Sequence, residues 1–256
     1  MRFLSAAHTD IGIAKKINQD SFTLKIAKSS KHNIAFAVLC DGMGGLKNGE
    51  LASAFVVNAF SNWFEQVFPS MIDNKLDFEV IKKQWNNIAI SQCEKIMDYG
   101  NANGISLGTT LSAILCIDNQ YIIIHIGDTR IYILNNSIEQ ITTDHTFVAN
   151  EVLHNRMTVD QAQTDSRKNV LLQCIGASKN IECEFKTGTI GENEEFLLCC
   201  DGFRHEISNE EIYGVLAPDF MSSEKVMRKS LVDLVNLNKQ RNEKDNITAI
   251  LIKTIY

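Results

Sequence analysis

Apolar residues along this chain follow two rhythms. Short runs rich in Ile, Val, Leu and Phe, bounded by Asn, Asp and Gly, predict strands over residues 3–8, 21–27, 33–40, 107–117, 121–127, 130–134, 181–189, 195–200 and 246–254. Two longer stretches repeat at three and four residues instead. Residues 48–68 place Ala52, Val56, Phe60, Trp63 and Val67 on one stripe, and residues 77–98 do the same with Ile81, Trp85, Ala89, Cys93 and Ile96. Both stripes read as core-facing helix surfaces. A further helical pair is expected near 208–217 and 222–239, where Ser208 and Glu211 have the spacing of a capping box. Thr158 and Gln161 repeat that spacing inside residues 149–180, a polar region of weak period that reads as a loop with short helices covering a site.

The run YIIIHIGDTRIYILNNSIEQIT joins its strands through short turns, which requires antiparallel pairing, because parallel strands need a crossover. The fold class is therefore α+β, antiparallel sheets flanked by helices. With only two prolines and no low-complexity linker, residues 1–256 read as one domain, and 45% hydrophobic content can fill its core. A formal charge of −6 with acids and bases well mixed leaves no basic stripe for nucleic acid. Seven cysteines, none in a CxxC pair, lack zinc-ligand spacing and point to a reduced, cytoplasmic chain. The first residues carry no secretory apolar core, and the longest apolar runs are far too short to cross a bilayer.

Where the acids sit changes the picture. Asp41 follows FAVLC, Asp201 follows FLLCC and Asp128 follows YIIIHIG, while Asp20 and Asp245 stand just ahead of the strands SFTLKI and NITAILI. Any one of these is an ordinary turn residue. If they meet at one sheet edge, partly buried carboxylates repel one another and lose hydration, at several kcal/mol per ion. They must then take up protons, pair with bases or hold a cation. Nearby bases are few (Lys15, Lys16, Arg130, Arg204 and Lys244), and hard Mg²⁺ or Mn²⁺ suits an all-oxygen set. Gly42 lets the backbone come close enough for its carbonyl to join, and Gly44 and Gly45 serve a turn or a helix start.

Seven stretches in order, TDIGIAKKINQDSF, FAVLCDGMGGLKNGELAS, SLGTTLSAIL, HIGDTRIYIL, ITTDHTFV, FLLCCDGF and KDNITAILI, resemble the motifs of the metal-dependent protein serine/threonine phosphatases, the PPM or type 2C family, in its bacterial form. The resemblance implies a four-layer α-β-β-α sandwich with a flap subdomain at about 149–180. It also implies two Mn²⁺ or Mg²⁺ ions held by Asp20, Asp41, the Gly42 carbonyl, Asp201 and Asp245, with Asp128 at a weaker third ion. Catalysis would run through Asp41, Asp201 and Asp245 and the water they help activate, with Lys15 contacting phosphate. The implied substrates are phosphorylated proteins, opposite a Ser/Thr kinase, for a monomer that binds neither nucleic acid nor membrane.

Four residues depart from the family pattern. Lys15 stands for an arginine, a point charge in place of a planar fork, or else it is a solvated surface lysine. Gln19 replaces a glutamate and removes one negative charge. Met43 replaces the histidine of eukaryotic members, so the leaving alkoxide would draw its proton from water. His205 replaces the second aspartate of DGxxD, as a Mn²⁺ ligand or as a surface side chain. Two other functions compete: hydrolysis of small phosphate esters or nucleotides, and a non-catalytic module that binds phosphoproteins or a kinase. No Cys-x5-Arg loop or Asp-x-Asp pair is present for other phosphatase chemistries.

Overall fold

The computed structural model describes residues 2–43, 48–72 and 76–255, so Gly44 and Gly45 lie outside the described residues. One sheet runs in the order β1 (Arg2–Asp10), β10 (Ile247–Ile255), β9 (Glu195–Cys199), β6 (Arg130–Leu134) and β7 (Ile138–Gln140). The other runs β2 (Asp20–Lys28), β3 (Asn33–Asp41), β4 (Leu111–Ile117), β5 (Gln120–Ile126) and β8 (Glu184–Thr189). Every pairing is antiparallel.

Period-two alternation explains why the two sheets stack with helices outside. In β3, Ile34, Phe36, Val38 and Cys40 face α1 (Gly49–Gln66) and α3 (Phe78–Asn103), while Ala35, Ala37 and Leu39 face the other sheet. In β10, Ile247, Ala249 and Leu251 face α8 (Glu224–Gln240), while Ile250 and Ile252 point into the layer between the sheets. Three apolar layers result, and they define the α-β-β-α sandwich. The outer layer under α1 and α3 is aromatic: Phe36 stacks on Phe64 at 4.7 Å, and Trp63 meets Trp85 edge-on at 5.4 Å. Burying each such side chain stabilises the fold by about 1.5–3 kcal/mol.

The helical stripes are buried as expected except at one residue. Val67 is 40% exposed because it follows the last turn of α1 as its C-cap, and Phe64 and Phe68 fill the core there instead. α3 runs past residue 98 and stops at Gly104, whose φ of +64° is a left-handed helix end. The expected strand at 107–117 begins only at Leu111, because Thr109 and Thr110 use their hydroxyls on Asp41: Thr109 Oγ1 donates to its carbonyl, and Thr110 Oγ1 accepts its N–H, both at 2.9 Å. Both capping boxes form, and α4 (Phe147–Leu153) and α5 (Val159–Thr164) occupy the start of the polar region. Short elements that carry too few residues to show a period were missed: α2 (Pro69–Ile72), β7 and α6 (Asp201–Arg204).

The segment 11–19 crosses the end of the sandwich, and one side chain ties it down. Asn246 donates from Nδ2 to the carbonyls of Ile11 (3.0 Å) and Ile17 (3.2 Å) and accepts the N–H of Gln19 at 2.9 Å. Gly12 sits at φ +78°, where a Cβ would come within 2.2 Å of the Asp245 carbonyl oxygen. Gly12→Ala is accordingly expected to lower unfolding free energy by about 2–4 kcal/mol through strain and collision, read as a shifted midpoint in urea denaturation.

Candidate metal centre

Strand register builds the site. Asp20 opens β2 and Asp41 closes β3, and the two are direct partners in the ladder. On the other sheet Asp201 follows the end of β9 and Asp245 precedes β10, which pairs with β9. Asp128 lies just before β6, whose Arg130 pairs with Cys199 at the end of β9. All five therefore gather at one end of the sandwich. Asp41, Asp128, Asp201 and Asp245 line a single cleft of about 720 Å³ together with Lys15 and Met43, and Asp20 lies beneath it.

Close backbone approach is enforced there. A Cβ on Gly42 would lie 2.4 Å from the carbonyl oxygen of Gly49 and 2.6 Å from that of Gln19, so only glycine lets the end of β3 nest against the start of α1. Gly202 likewise packs against the Asn246 carbonyl, where a Cβ would fall at 2.2 Å. This explains the repeated Asp-Gly pair: the carboxylate faces the cleft and the glycine lets the chain touch its neighbour.

The electrostatics are those of a crowded anion cluster. Burial, then the fields of Asp201 and Asp245, push Asp20 up to about 7, against the hydrogen bond of 2.5 Å that Thr248 Oγ1 donates to its Oδ2. Asp41 is driven well above the carboxylate range by burial first and then by Asp20, Asp201, Asp128 and Asp245. Burial and Asp201 likewise raise Asp128 to about 7, with Arg204 pulling it down. Asp20 Oδ1 is buried without a hydrogen-bond partner. An orphaned carboxylate oxygen within an all-oxygen cluster fits a hard divalent cation. Cys200 lies within the same group, but its Sγ is already engaged, accepting the Thr248 N–H at 3.1 Å and donating to the Asn246 carbonyl at 3.4 Å, and a soft thiol suits a hard cation less well than the carboxylates do.

The departures from the family pattern find definite places. Lys15 Nζ is 2.8 Å from Asp245 Oδ1; burial opposes its charge, but Asp245, Asp41 and Asp201 outweigh that and raise its pKa. Gln19 donates from Nε2 to Glu50 of α1 at 3.3 Å, and its carbonyl accepts the N–H of Gly42. Met43 lines the cleft wall. His205 is neither simply exposed nor free: Nε2 lies 3.5 Å from Asp201 Oδ2 and Nδ1 3.3 Å from Glu243 Oε2. Burial opposes its protonation, yet Glu243 and Asp201, which bracket the ring, prevail and raise its pKa.

Several positioning residues carried little signal in the sequence. Glu243 Oε1 accepts the N–H groups of Lys244 (2.7 Å) and Asp245 (2.8 Å) and so aims Asp245. Arg204 donates to the Asp128 carbonyl at 2.9 Å and stands 3.7 Å from its Oδ2, while Arg130 grips Asp144 through Nε (2.9 Å) and Nη2 (2.7 Å). His125, His145 and Glu184 form a second cluster close enough to suggest ligation. His125 is already satisfied, however: Nε2 donates toward the Thr143 carbonyl at 3.0 Å, leaving Nδ1 to accept from Ser112 at 2.9 Å. Burial and then His145 hold its pKa down at about 4, so it is a neutral structural bridge.

The family Protein phosphatase 2C matches residues 13–251. Protein phosphatase PhpP of Streptococcus pneumoniae is 29% identical over 248 residues, covering 95% of this chain and 94% of that protein. The serine/threonine phosphatase Stp1 from Staphylococcus aureus superposes with a TM-score of 0.84 at 27% identity, over 98% of this chain and 95% of that one. The catalytic domain of the phosphatase PstP, solved in complex with two manganese ions, gives 0.75 at 25% identity over 99% of each. With a family match across nearly its whole length and carboxylates from both sheets meeting in one cleft, this chain belongs to the protein phosphatase 2C family.

Proposed function

We propose that the protein hydrolyses phosphoserine and phosphothreonine in proteins, in the cytoplasm and as a monomer, opposing a Ser/Thr kinase and binding no nucleic acid. The observation that carries this reading is the buried, partnerless Asp20 Oδ1 inside a four-carboxylate cluster drawn from two sheets. Asp20, Asp41 and the Gly42 carbonyl from one sheet, with Asp201 and Asp245 from the other, would hold two Mn²⁺ or Mg²⁺ ions. Asp128 would contribute with Asp201 to a weaker third position, where Arg204 already shares its charge.

When bound, the cations supply an activated water and offset charge on the phosphoryl oxygens. The residues of the chain do the rest. Thr248 fixes the orientation of Asp20, and Glu243, braced by His205, fixes Asp245. Lys15, at the cleft wall, presents an ammonium to a phosphoryl oxygen as a point charge. Met43 has no proton to give, so the departing serine or threonine alkoxide is protonated by water in the cleft. Residues 149–180 form a flap beside the cleft, which Asn169, Leu171, Leu172, Cys174, Ala177 and Ser178 help to line.

Protein stripped of metal by a chelator is expected to release no phosphate from a phosphothreonine peptide and to recover on addition of Mn²⁺, with Asp41→Asn reducing kcat by at least about 100-fold. Inactivity of the reloaded protein would sink the reading. Lys15→Ala should lower kcat/KM by about tenfold, the worth of one charged phosphate contact, and Lys15→Arg should retain most of it.

Metal-free protein should also show a distinctive pH profile. Asp20 and Asp128 hold protons up to about pH 7 in the folded state but release them near 4 when unfolded. Over that window the unfolded chain binds fewer protons, so stability must fall as pH rises from 4 to 7. Melting temperatures of the stripped protein are expected to decline across that range, and Mn²⁺ should raise them more at pH 7.5 than at pH 5, where protons compete for the same oxygens.

A further inference from the structure

Beside the carboxylate cleft lies a second one of about 870 Å³, enclosed by α4, α5 and the start of β6. The two clefts share Asp128 and Asn169 in their walls, so an extended chain lying in the first continues into the second. Their charge is opposite. The first sets Asp41, Asp128, Asp201 and Asp245 against Lys15. In the second, Asp128 and Asp144 face Arg130, Arg204, Lys168 and His205.

Most of that positive charge is already engaged. Arg130 and Arg204 are paired with Asp144 and Asp128, and His205 is held between Asp201 and Glu243. Lys168 is different: among the described residues it enters no ion pair and lies exposed at the cleft. Its place is set by the backbone around it. Lys168 N donates to the Asp165 carbonyl at 3.1 Å, Phe147 N donates to the Val170 carbonyl at 2.8 Å, and the guanidinium of Arg167 covers the Phe147 ring at 4.1 Å. Val148, Val152 and Ala162 give the same cleft an apolar stretch of wall. The cleft thus offers an aliphatic surface for a side-chain stem and an unpaired ammonium for its end.

We propose that this second cleft is a substrate subsite for an anionic side chain, a carboxylate or a second phosphate, flanking the phosphoresidue on the same protein. The subsite rests on the phosphatase reading above and assigns Lys168 as the residue that discriminates among phosphoproteins. Attraction of this kind, at a half-open site, acts chiefly on kcat/KM and weakens with salt.

The test uses the Mn²⁺-loaded full chain and a phosphothreonine peptide series with glutamate, phosphoserine, alanine or lysine placed in turn at each neighbouring position. At one or more positions glutamate or phosphoserine should raise kcat/KM roughly fivefold over alanine, with lysine below alanine. Lys168→Glu should abolish or invert that order while leaving hydrolysis of p-nitrophenyl phosphate unchanged. A preference for phosphoserine alone identifies a second phosphate as the ligand, and an equal preference for glutamate identifies a carboxylate. Equal rates across the series, or a preference that survives Lys168→Glu, overturns the subsite while leaving the phosphatase reading intact. Turnover of p-nitrophenyl phosphate without turnover of any peptide overturns both.

Discussion

Like charges placed opposite one another in a ladder repel, and the β2–β3 pair ends on such a pair, Asp20 facing Asp41. The architecture at that end of the molecule follows from having to tolerate it. Thr110 and Thr109 fix the Asp41 backbone, Thr248 holds one oxygen of Asp20, and Gly42 and Gly49 bring β3 and α1 into contact. None of these contacts neutralises charge. Among the described residues Lys15 pairs with Asp245, Arg204 with Asp128 and Asp144, and His205 with Asp201 and Glu243. The cluster is held in shape with its mutual repulsion unrelieved, which raises Asp20 and Asp41 toward the protonated form and makes cations supplied from solution its fitting partners.

A second anchoring arrangement surrounds the first. Asn246 closes the 11–19 segment against β10, Asp10 accepts the Gly12 N–H at 2.8 Å, and Lys239 of α8 reaches the other Asp10 oxygen at the same distance. The segment that carries Lys15 and Gln19 is thereby fastened to the helix layer behind the opposite sheet. On the far side, Glu243 and His205 connect Asp245 to Asp201. The neutral-for-acid change at Gln19 and the base-for-acid change at His205 both leave these frames connected, one through Glu50 and one through Glu243.

The layered fold was legible because it depends on periodicity. Alternation in FAVLC and NITAILI predicts two-faced strands, and the stripes from Ala52 to Trp63 and from Ile81 to Ile96 predict the covering helices. The family order of the motifs marked Asp20, Asp41, Asp201 and Asp245, and register then brings them to one end. What stayed hidden depends on contacts between distant segments. Nothing local in KDNIT shows that Asn246 reaches Ile11 and Ile17, nor in NEKD that Glu243 meets His205. Val67 misled because a stripe does not reveal where its helix stops, and 107–110 misled because threonine hydroxyls stood in for ladder bonds.

Two of the four carboxylates belong to each sheet, so their spacing is fixed by what lies between the sheets. That middle layer mixes very small side chains, Ala35 and Ala37, with Leu39, Ile114, Ile250 and Ile252. It works as a calliper whose opening is the thickness of a packed apolar layer. Adding volume at Ala37, several residues along the strand from any ligand, would spread the jaws without touching a carboxylate. Cation affinity in this fold is therefore a property of the interior as well as of the site, and sequence drift in the middle layer can retune it while every ligand stays in place.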